Sequence, residues 1–370
     1  MASVSDEQAY MVLALELAEQ GRYSAKPNPC VGCVIVKDGK VVGEGWHQKA
    51  GEPHAEVHAL RAAGSLAQGA TAYVTLEPCS HHGKTPPCAD ALIASGISRV
   101  VIAMQDPNPI VAGQGIEKLT EAGIEVAVGL LEEQAKTLNK DFCHKMTTGR
   151  PRIMSKVAMS LDGKTAMASG ESQWITGSAA RQDVHRLRAQ SDMVLTGVGT
   201  ILADNPKLTA RDGLADTLIK QPRIVVLDSK LSIPLSAAVL SDASNTTVLT
   251  CNDDEQAILA FRKLGCKVEL LAADKNGQVD LQAVHEWLKL QAINSVMIEA
   301  GALLNGACLQ ASMVDELIVY MAPSALGSEA RGAFSMPQVS TLSDRVQLNY
   351  VGMEVLGDDL KLTYDVKREG

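Results

Sequence analysis

Three short stretches place metal-binding and proton-transfer side chains close together: His54-Ala55-Glu56, Pro78-Cys79 and Cys88. A catalytic zinc takes three protein ligands and keeps a fourth position for water, and one imidazole with two thiolates suits it. Zinc brings the pKa of that water to about 7, so hydroxide forms without a strong base. Glu56, two residues beyond His54, is then placed to shuttle protons rather than to bind metal. Two blander readings stay open. Cys79 and Cys88 can be buried apolar side chains with His54 at the surface, or a structural zinc can recruit His81 or His82 as a fourth ligand. Cys30-x-x-Cys33 is a second thiol pair, readable as half a zinc site or as a redox pair. Cys33 falls in a predicted strand, where residues three apart face opposite ways, so this pair is not expected to ligate the metal.

The elements that must position these groups follow from periodicity. Ser5 and Gln8 read as a capping box, with Tyr10, Leu13, Ala14, Leu17 and Ala18 on one apolar helix face and Gly21 as the stop. The apolar run Val31–Val36, then Asp38-Gly39, then Val41-Val42 predicts a hairpin with a type I′ turn. A helix carries His54 to about Ala63, and Thr71–Leu76 reads as a strand. Helix and strand then alternate: a helix from about Ala89, strand Val100–Ala103, helix Ile116–Ala122, strand Ile124–Val128 and a helix over Glu132–Phe142. The pattern predicts a mixed, mostly parallel sheet covered by helices on both faces. His54 then opens one helix, while Cys79 and Cys88 bracket the loop that starts the next. Positive dipole ends would face the thiolates and favour their anionic forms.

Between Cys143 and Pro151 the pattern lapses, and a domain boundary is expected there. Beyond it, strands are predicted near Ile153–Ala158, Met193–Thr196, Ile224–Leu227, Val268–Leu271, Val296–Ile298 and Leu317–Tyr320. Val351–Leu356 and Leu360–Val366 predict a closing hairpin. Two glycine-bearing turns follow predicted strands, Thr196-Gly197-Val198-Gly199-Thr200 and Glu299-Ala300-Gly301 through Gly306. Amides at a helix start after such a turn can cradle phosphate. The first turn lacks the third small residue of a dinucleotide fingerprint, and the second lacks the Lys-Ser/Thr of an ATP loop. Glycine for tight strand–helix packing explains either turn equally well.

Composition narrows the classes. With 370 residues, about two domains are expected, and 46% hydrophobic with 21% charged residues is ordinary globular content. A net charge of -9 and an aromatic share of 3% disfavour a nucleic-acid partner, which would call for basic surface and stacking platforms. No apolar run approaches the roughly 20 residues of a membrane span, and the first residues lack a signal peptide's basic start. A cytoplasmic protein with mostly reduced cysteines is expected.

The order His-x-Glu, Pro-Cys, Cys resembles the cytidine deaminase-like superfamily. There the two cysteines usually form Cys-x-x-Cys, whereas Ser80 through Pro87 separate them here. That longer loop, with Pro27-Asn28-Pro29 before the hairpin, resembles the RibD family of bifunctional riboflavin-biosynthesis enzymes. By this resemblance Asn28 meets the pyrimidine ring, and His82 and Lys84 suit an anionic ribose phosphate. Lys156 through Lys164, Ile175-Thr176-Gly177, the Asp204–Arg211 run and Glu299-x-Gly301 resemble, in order, the dihydrofolate reductase-like domain of the same family. Carried over, Ala158, Trp174, Thr200, Asp204, Ser229 and the turn Gly301, Ala302, Leu303, Leu304, Asn305, Gly306, Ala307 line an NADPH site. Ser172, Arg188, Leu208, Arg211 and Glu299 meet the substrate, with the two arginines as bidentate clamps on its phosphate.

The resemblance implies an α/β chain of two domains. A zinc-dependent, cytidine deaminase-like three-layer α/β/α domain spans 1–147, and an NADPH-dependent, dihydrofolate reductase-like α/β domain spans 148–370. One zinc per chain, a small pyrimidine ribose-phosphate substrate and an assembly of like chains are implied, with no nucleic acid and no membrane. Zinc, His54, Cys79, Cys88 and Glu56 would remove an amino group from the pyrimidine, and hydride from NADPH would open ribose to ribityl. Motif chemistry alone supports a zinc deaminase joined to a nucleotide-binding domain. A nucleic-acid base deaminase with an accessory domain and a zinc-stapled binding protein remain as alternatives.

Overall fold

A computed structural model describes residues 4–80, 87–109, 111–211 and 219–367. The chain divides into two compact units, Met1–Arg150 and Pro151–Gly370. Among the described residues no helix is long and apolar enough to cross a membrane.

The first unit runs α1 (Val4–Glu19), β1 (Gly32–Lys37), β2 (Lys40–Trp46), α2 (Ala55–Ala63), β3 (Thr71–Leu76), α3 (Cys88–Ala94), β4 (Arg99–Met104), α4 (Gln114–Glu121), β5 (Glu125–Val128), α5 (Glu132–Leu138) and α6 (Lys140–Thr148). Its sheet has the order β2-β1-β3-β4-β5. β1 pairs antiparallel with both β2 and β3, and β3–β4 and β4–β5 are parallel. The sheet is mixed as expected, but evenly so rather than mostly parallel. Side chains alternate along β1: Cys33 and Ile35 join one core with Ala55 and Ala59, and Val34 and Val36 join another with Met11 and Ala14. That alternation makes three layers.

Asp38 and Gly39 both have positive φ, 50° and 74°, so the predicted type I′ turn forms. Two readings change. α1 already includes Ser5, so Ser5 and Gln8 both lie inside the helix rather than at its edge. The helix read over Glu132–Phe142 is broken at Asn139, and its second part continues to Thr148, into the stretch expected to hold the domain boundary. Asn139 breaks it because its side chain bonds the backbone of Cys30 both ways, at 2.8 and 2.9 Å.

The second unit runs β6 (Arg152–Ser160), β7 (Lys164–Ala166), α7 (Ser178–Gln190), β8 (Met193–Gly197), α8 (Val198–Asp204), β9 (Arg223–Leu227), β10 (Thr246–Thr250), α9 (Glu255–Lys263), β11 (Lys267–Leu270), α10 (Leu281–Lys289), β12 (Ser295–Glu299), α11 (Ala302–Gln310), β13 (Glu316–Ala322), β14 (Arg331–Gly332), β15 (Leu348–Leu356) and β16 (Asp359–Val366). The main sheet has the order β11-β10-β9-β8-β12-β6-β13-β16-β15. Its strands are parallel from β11 to β13, and the predicted hairpin β15–β16 adds antiparallel. Val194 and Val226 enter one core, and Met193, Leu195, Val225 and Leu227 the other, as expected of parallel strands buried on both faces. β10 was not legible. Thr246 there is buried, and its hydroxyl bonds the carbonyls of Val239 and Asp242 at 3.1 Å. Local hydrogen bonds let polar letters fill an interior strand.

Candidate active sites

In the first unit, α2 is pressed onto β2. A Cβ on Gly43 would lie 2.2 Å from Ala59 O, and one on Gly45 would lie 2.4 Å from Ala55 O. Glycine at both positions is what lets the helix start close to the sheet, with His54 as its N-cap and Glu56 in its first turn. Cys79 leaves the end of β3, and Cys88 opens α3. The ligating atoms of His54, Cys79 and Cys88 all lie within 4.8 Å of one another. His54 Nδ1 is 3.2 Å from Cys88 Sγ and 3.6 Å from Cys79 Sγ, and the Cys88 amide donates to Cys79 Sγ at 3.3 Å.

The two thiols divide their protons. The Cys88 thiol donating to it, aided by His54, draws Cys79 down to about 4 against its burial, while Cys88 is pushed up by the same bond and by burial. Glu56 is 3% exposed, and its Oε2 has no hydrogen-bond partner. Burial raises its affinity for protons, and only partly does His54 counter this. A buried, proton-retentive carboxyl with one unsatisfied oxygen beside three metal-type donors is costly for the fold and useful for proton transfer.

Cys30 and Cys33 stand apart from this group. Cys30 lies before β1 with its backbone held by Asn139, and Cys33 is fully buried in the core beneath α2. Two other residues gave no sequence signal. His47, buried, donates from Nδ1 to Pro53 O at 3.2 Å and accepts from Asn28 Nδ2 at 2.9 Å, and its ring meets that of His54 edge-on at 5.2 Å. Burial and the neighbouring His54 and His58 lower its proton affinity, in keeping with the neutral ring. Glu77, next to the Pro78-Cys79 pair, accepts the amides of Asp106, Gly113, Gly115 and Ile116 at 2.9–3.3 Å. It ties the strand end bearing Cys79 to the start of α4. His82 and Lys84, like His81, lie outside the described residues.

In the second unit the expected residues gather at the carboxyl ends of adjacent parallel strands. Ala158 is on β6, Glu299 ends β12, and the Gly197–Thr200 turn follows β8. The order reverses there, since β12 inserts between β8 and β6, and such a switch point leaves a crevice. Gly301 caps α11 with no side-chain cap, and a Cβ on Gly301 or on Gly199 would meet nothing within 4 Å. Gly306 is different: its Cβ would lie 2.1 Å from Ser335 O, so packing demands this glycine. Asn305 is buried, its side chain joining Ser155 and Ala300 at 3.0 and 2.7 Å. Leu304 packs against Gly197, and Leu303 is exposed.

Ser172 donates to Asp204 at 3.3 Å, and Trp174 is 70% exposed with the Arg181 guanidinium 4.7 Å over its ring. Ser229 accepts from the Val279 amide and donates to Gln278, so its hydroxyl is engaged inside the protein. Leu208 is buried with φ of 55°. Arg188 is nearly buried and forms a bidentate pair with Glu299 at 2.7 and 2.8 Å, with Lys156 3.6 Å from the same carboxylate. Burial would raise the Glu299 pKa, but the charges of Arg188 and Lys156 outweigh it and hold it at about 2. The third nitrogen of Arg188 donates to Thr209 O at 3.2 Å. Its fork therefore grips a carboxylate of its own chain, where the sequence suggested a ligand phosphate.

Residues 4–104 match the family described as the cytidine and deoxycytidylate deaminase zinc-binding region, and residues 151–362 match the RibD C-terminal domain. A riboflavin biosynthesis protein RibD from Escherichia coli is 50% identical, covering 96% of this chain and 98% of its own. One from Aquifex aeolicus is 41% identical over 97% of this chain and 98% of its own. Among solved structures, Acinetobacter baumannii RibD superposes with a TM-score of 0.90 at 44% identity, covering 99% of this chain and 100% of its own. A Thermotoga maritima diaminohydroxyphosphoribosylaminopyrimidine deaminase/5-amino-6-(5-phosphoribosylamino)uracil reductase superposes at 0.85 and 34% identity, over 98% and 99%.

Proposed function

The chain belongs to the RibD family, bifunctional riboflavin-biosynthesis enzymes that join a zinc-binding deaminase domain to a reductase domain, and on that premise we propose how its residues divide the work. The substrates are those in the name of the Thermotoga relative. The first unit removes an amino group from the diaminopyrimidine, and the second reduces the resulting uracil's ribosyl group to ribityl. The protein works in the cytoplasm as an assembly of like chains.

His54, Cys79 and Cys88 are assigned to zinc. The donor set fits: one nitrogen and two sulfurs converge, and a buried carboxylate oxygen without a protein partner stands beside them. When bound, zinc supplies the positive charge that makes water nucleophilic at neutral pH. Glu56 Oε2 would take one proton of the attacking water and give it to the ring nitrogen as the C–O bond forms. It would then carry the water's second proton to the amino nitrogen as the C–N bond breaks and ammonia leaves; its raised proton affinity suits these transfers. Asn28 gives its amide hydrogen to His47, which leaves Oδ1 as the acceptor for the ring. His82 and Lys84 are assigned to the substrate phosphate.

In the second unit the open space over Gly199 and Gly301 and the uncapped start of α11 fit a phosphate-bearing cofactor. When bound, NADPH supplies the hydride. Ala158, Trp174, Thr200, Asp204, Ser229 and the backbone from Gly301 to Ala307 hold it. Arg211 binds the substrate phosphate, with Ser172 and Leu208 beside it. Arg188 and Lys156 keep Glu299 ionised, so that it accepts hydrogen bonds from the ribose hydroxyls.

The observation that supports this reading most is the convergence of His54, Cys79 and Cys88 around the unpartnered Glu56 oxygen. The test is an anaerobic assay on the diaminopyrimidine nucleotide, reading ammonia and NADPH together. One ammonia and one NADPH per substrate are expected. NADPH loss without ammonia, or release of neither, overturns the reading.

A further inference from the structure

Arg211 has an exposed side chain, yet the backbone of Thr209, Ala210 and Arg211 is hydrogen-bonded at each residue by a side chain from elsewhere in the unit. Gln221 clamps Ala210 in both directions, accepting its amide at 2.9 Å and donating to its carbonyl at 3.0 Å. Arg188 Nη1 donates to Thr209 O. The Arg211 amide donates to His185 Nδ1 at 3.2 Å. Leu208, just before, is held in the left-handed region, which a branched residue occupies only when its surroundings impose it.

His185 is the centre of this arrangement. It lies one turn before Arg188 on α7, 7% exposed, with Nδ1 facing three groups. These are the Arg211 amide at 3.2 Å, the Thr209 carbonyl at 3.2 Å and Arg188 Nη1 at 3.4 Å. Nδ1 thus meets two donors, the Arg211 amide and Arg188 Nη1, and one acceptor, the Thr209 carbonyl. A lone pair on Nδ1 with the ring proton on Nε2 satisfies both donors, and Thr209 O takes its hydrogen from Arg188 Nη1. Arg188 Nη1 carries two hydrogens and serves both Nδ1 and Thr209 O. The α7 turn that orients Glu299 through Arg188 therefore also sets the path of the chain into Arg211.

We propose that His185 is a positioning residue of the reductase, whose Nδ1 accepts the Arg211 amide and aims the Arg211 side chain at the substrate phosphate. This rests on the reading of Arg211 as the phosphate residue. The acceptor must sit where Nδ1 sits, so the two amide replacements should behave differently. Asparagine can place an oxygen near the Nδ1 position, whereas glutamine reaches toward Nε2 and leaves the Arg211 amide without an acceptor.

The test uses the full-length enzyme and pre-deaminated substrate, in His185→Asn, His185→Gln, Arg211→Ala and the double variant Arg211→Ala/His185→Gln. Loss of one such bond is expected to raise the substrate KM about tenfold in His185→Gln, with kcat and the NADPH KM within about threefold. His185→Asn should restore most of the affinity. The double variant should be no weaker for substrate than Arg211→Ala alone, because the histidine acts through the arginine. Hydrogen exchange at the Arg211 amide gives a readout independent of turnover: faster in His185→Gln, protected in the parent and in His185→Asn. Equal KM values for the two amide variants, or additive losses in the double variant, overturn the positioning role while leaving the phosphate reading intact. A normal substrate KM in Arg211→Ala overturns that reading instead, and the positioning role with it.

Discussion

The two units handle buried charge in opposite ways. In the first, a carboxyl stands beside His54, Cys79 and Cys88 with one oxygen that nothing in the protein satisfies. In the second, the Glu299 carboxylate is gripped by Arg188 and flanked by Lys156. Burial raises Glu56, whereas two cations overcome burial at Glu299. The proposed proton carrier keeps one oxygen unsatisfied, and the carboxylate proposed to stay ionised is given two cations. The contrast suits a hydrolytic step that moves protons and a reduction in which the protein mainly positions reactants.

The sharpest way to break this contrast is to remove Glu56, the proposed proton carrier. Glu56→Ala should lose roughly 10²–10⁴-fold in deamination, the usual size of a general acid–base contribution. Its zinc content should stay near that of the parent, and it should still oxidise NADPH normally when given pre-deaminated substrate. If reduction of that substrate slows as severely as deamination, the functional separation of the two units fails.

Removing the grip on Glu299 should harm the fold rather than the chemistry alone. Arg188→Leu leaves a largely buried carboxylate with one distant lysine, and loss of one partner from such a pair costs about 3–5 kcal/mol. Glu299→Gln should be milder, and its deficit should depend on pH. The folded pKa of Glu299 is about 2, below its ordinary 4.5, so the native state favours the ionised form. The stabilisation it gives is full above pH 4.5 and fades as pH falls toward 2. The stability difference between the parent and Glu299→Gln should shrink over that window. Denaturation monitored by hydrogen exchange in residues 151–370 reads it, and a difference that grows on acidification contradicts the ion-pair account.

The sites were unequally legible for the same reason. Zinc draws its donors from few residue types, so His54, Cys79 and Cys88 announce themselves by type and spacing, and Glu56 follows from them. A cofactor bound through backbone amides asks only for glycine and a helix start, and Gly199 and Gly301 look like any tight turn. Supporting residues were harder still. His47, Glu77 and His185 each have hydrogen-bond partners 19 to 39 positions away, which no local pattern encodes. The strands of both sheets were mostly readable from apolar runs. β10 was hidden by threonines whose hydroxyls bond locally, and the break at Asn139 by a side chain committed to Cys30.

The glycine turns can be tested where they differ. Gly301 faces open space, so Gly301→Val disturbs no packing of the protein itself, whereas a side chain at Gly306 would strike Ser335 O. Gly301→Val should keep the stability of the parent and raise the NADPH KM roughly tenfold, the effect of a one-to-two kcal/mol clash with a bound ligand. Deamination should be untouched. Normal cofactor affinity in this variant moves the phosphate site to the Gly197–Gly199 turn.

The smallest expected effect separates the two cysteine pairs of the first unit. Cys30 and Cys33 have the closer spacing in sequence, yet only Cys79 and Cys88 meet His54. Cys30 sits before β1 with its backbone latched by Asn139, and Cys33 is packed under α2, where burial holds its thiol protonated. A protonated thiol is a poor zinc ligand, and Cys33 already has core neighbours that a metal would displace. Cys30→Ser combined with Cys33→Ala should therefore keep close to one zinc per chain and near-normal deamination. The buried alanine should cost only a modest loss of stability, since one sulfur is removed from a packed core. Cys79→Ser should lose the metal. Loss of zinc from the Cys30/Cys33 variant, with retention in Cys79→Ser, would reverse the ligand assignment and take the role of Glu56 with it.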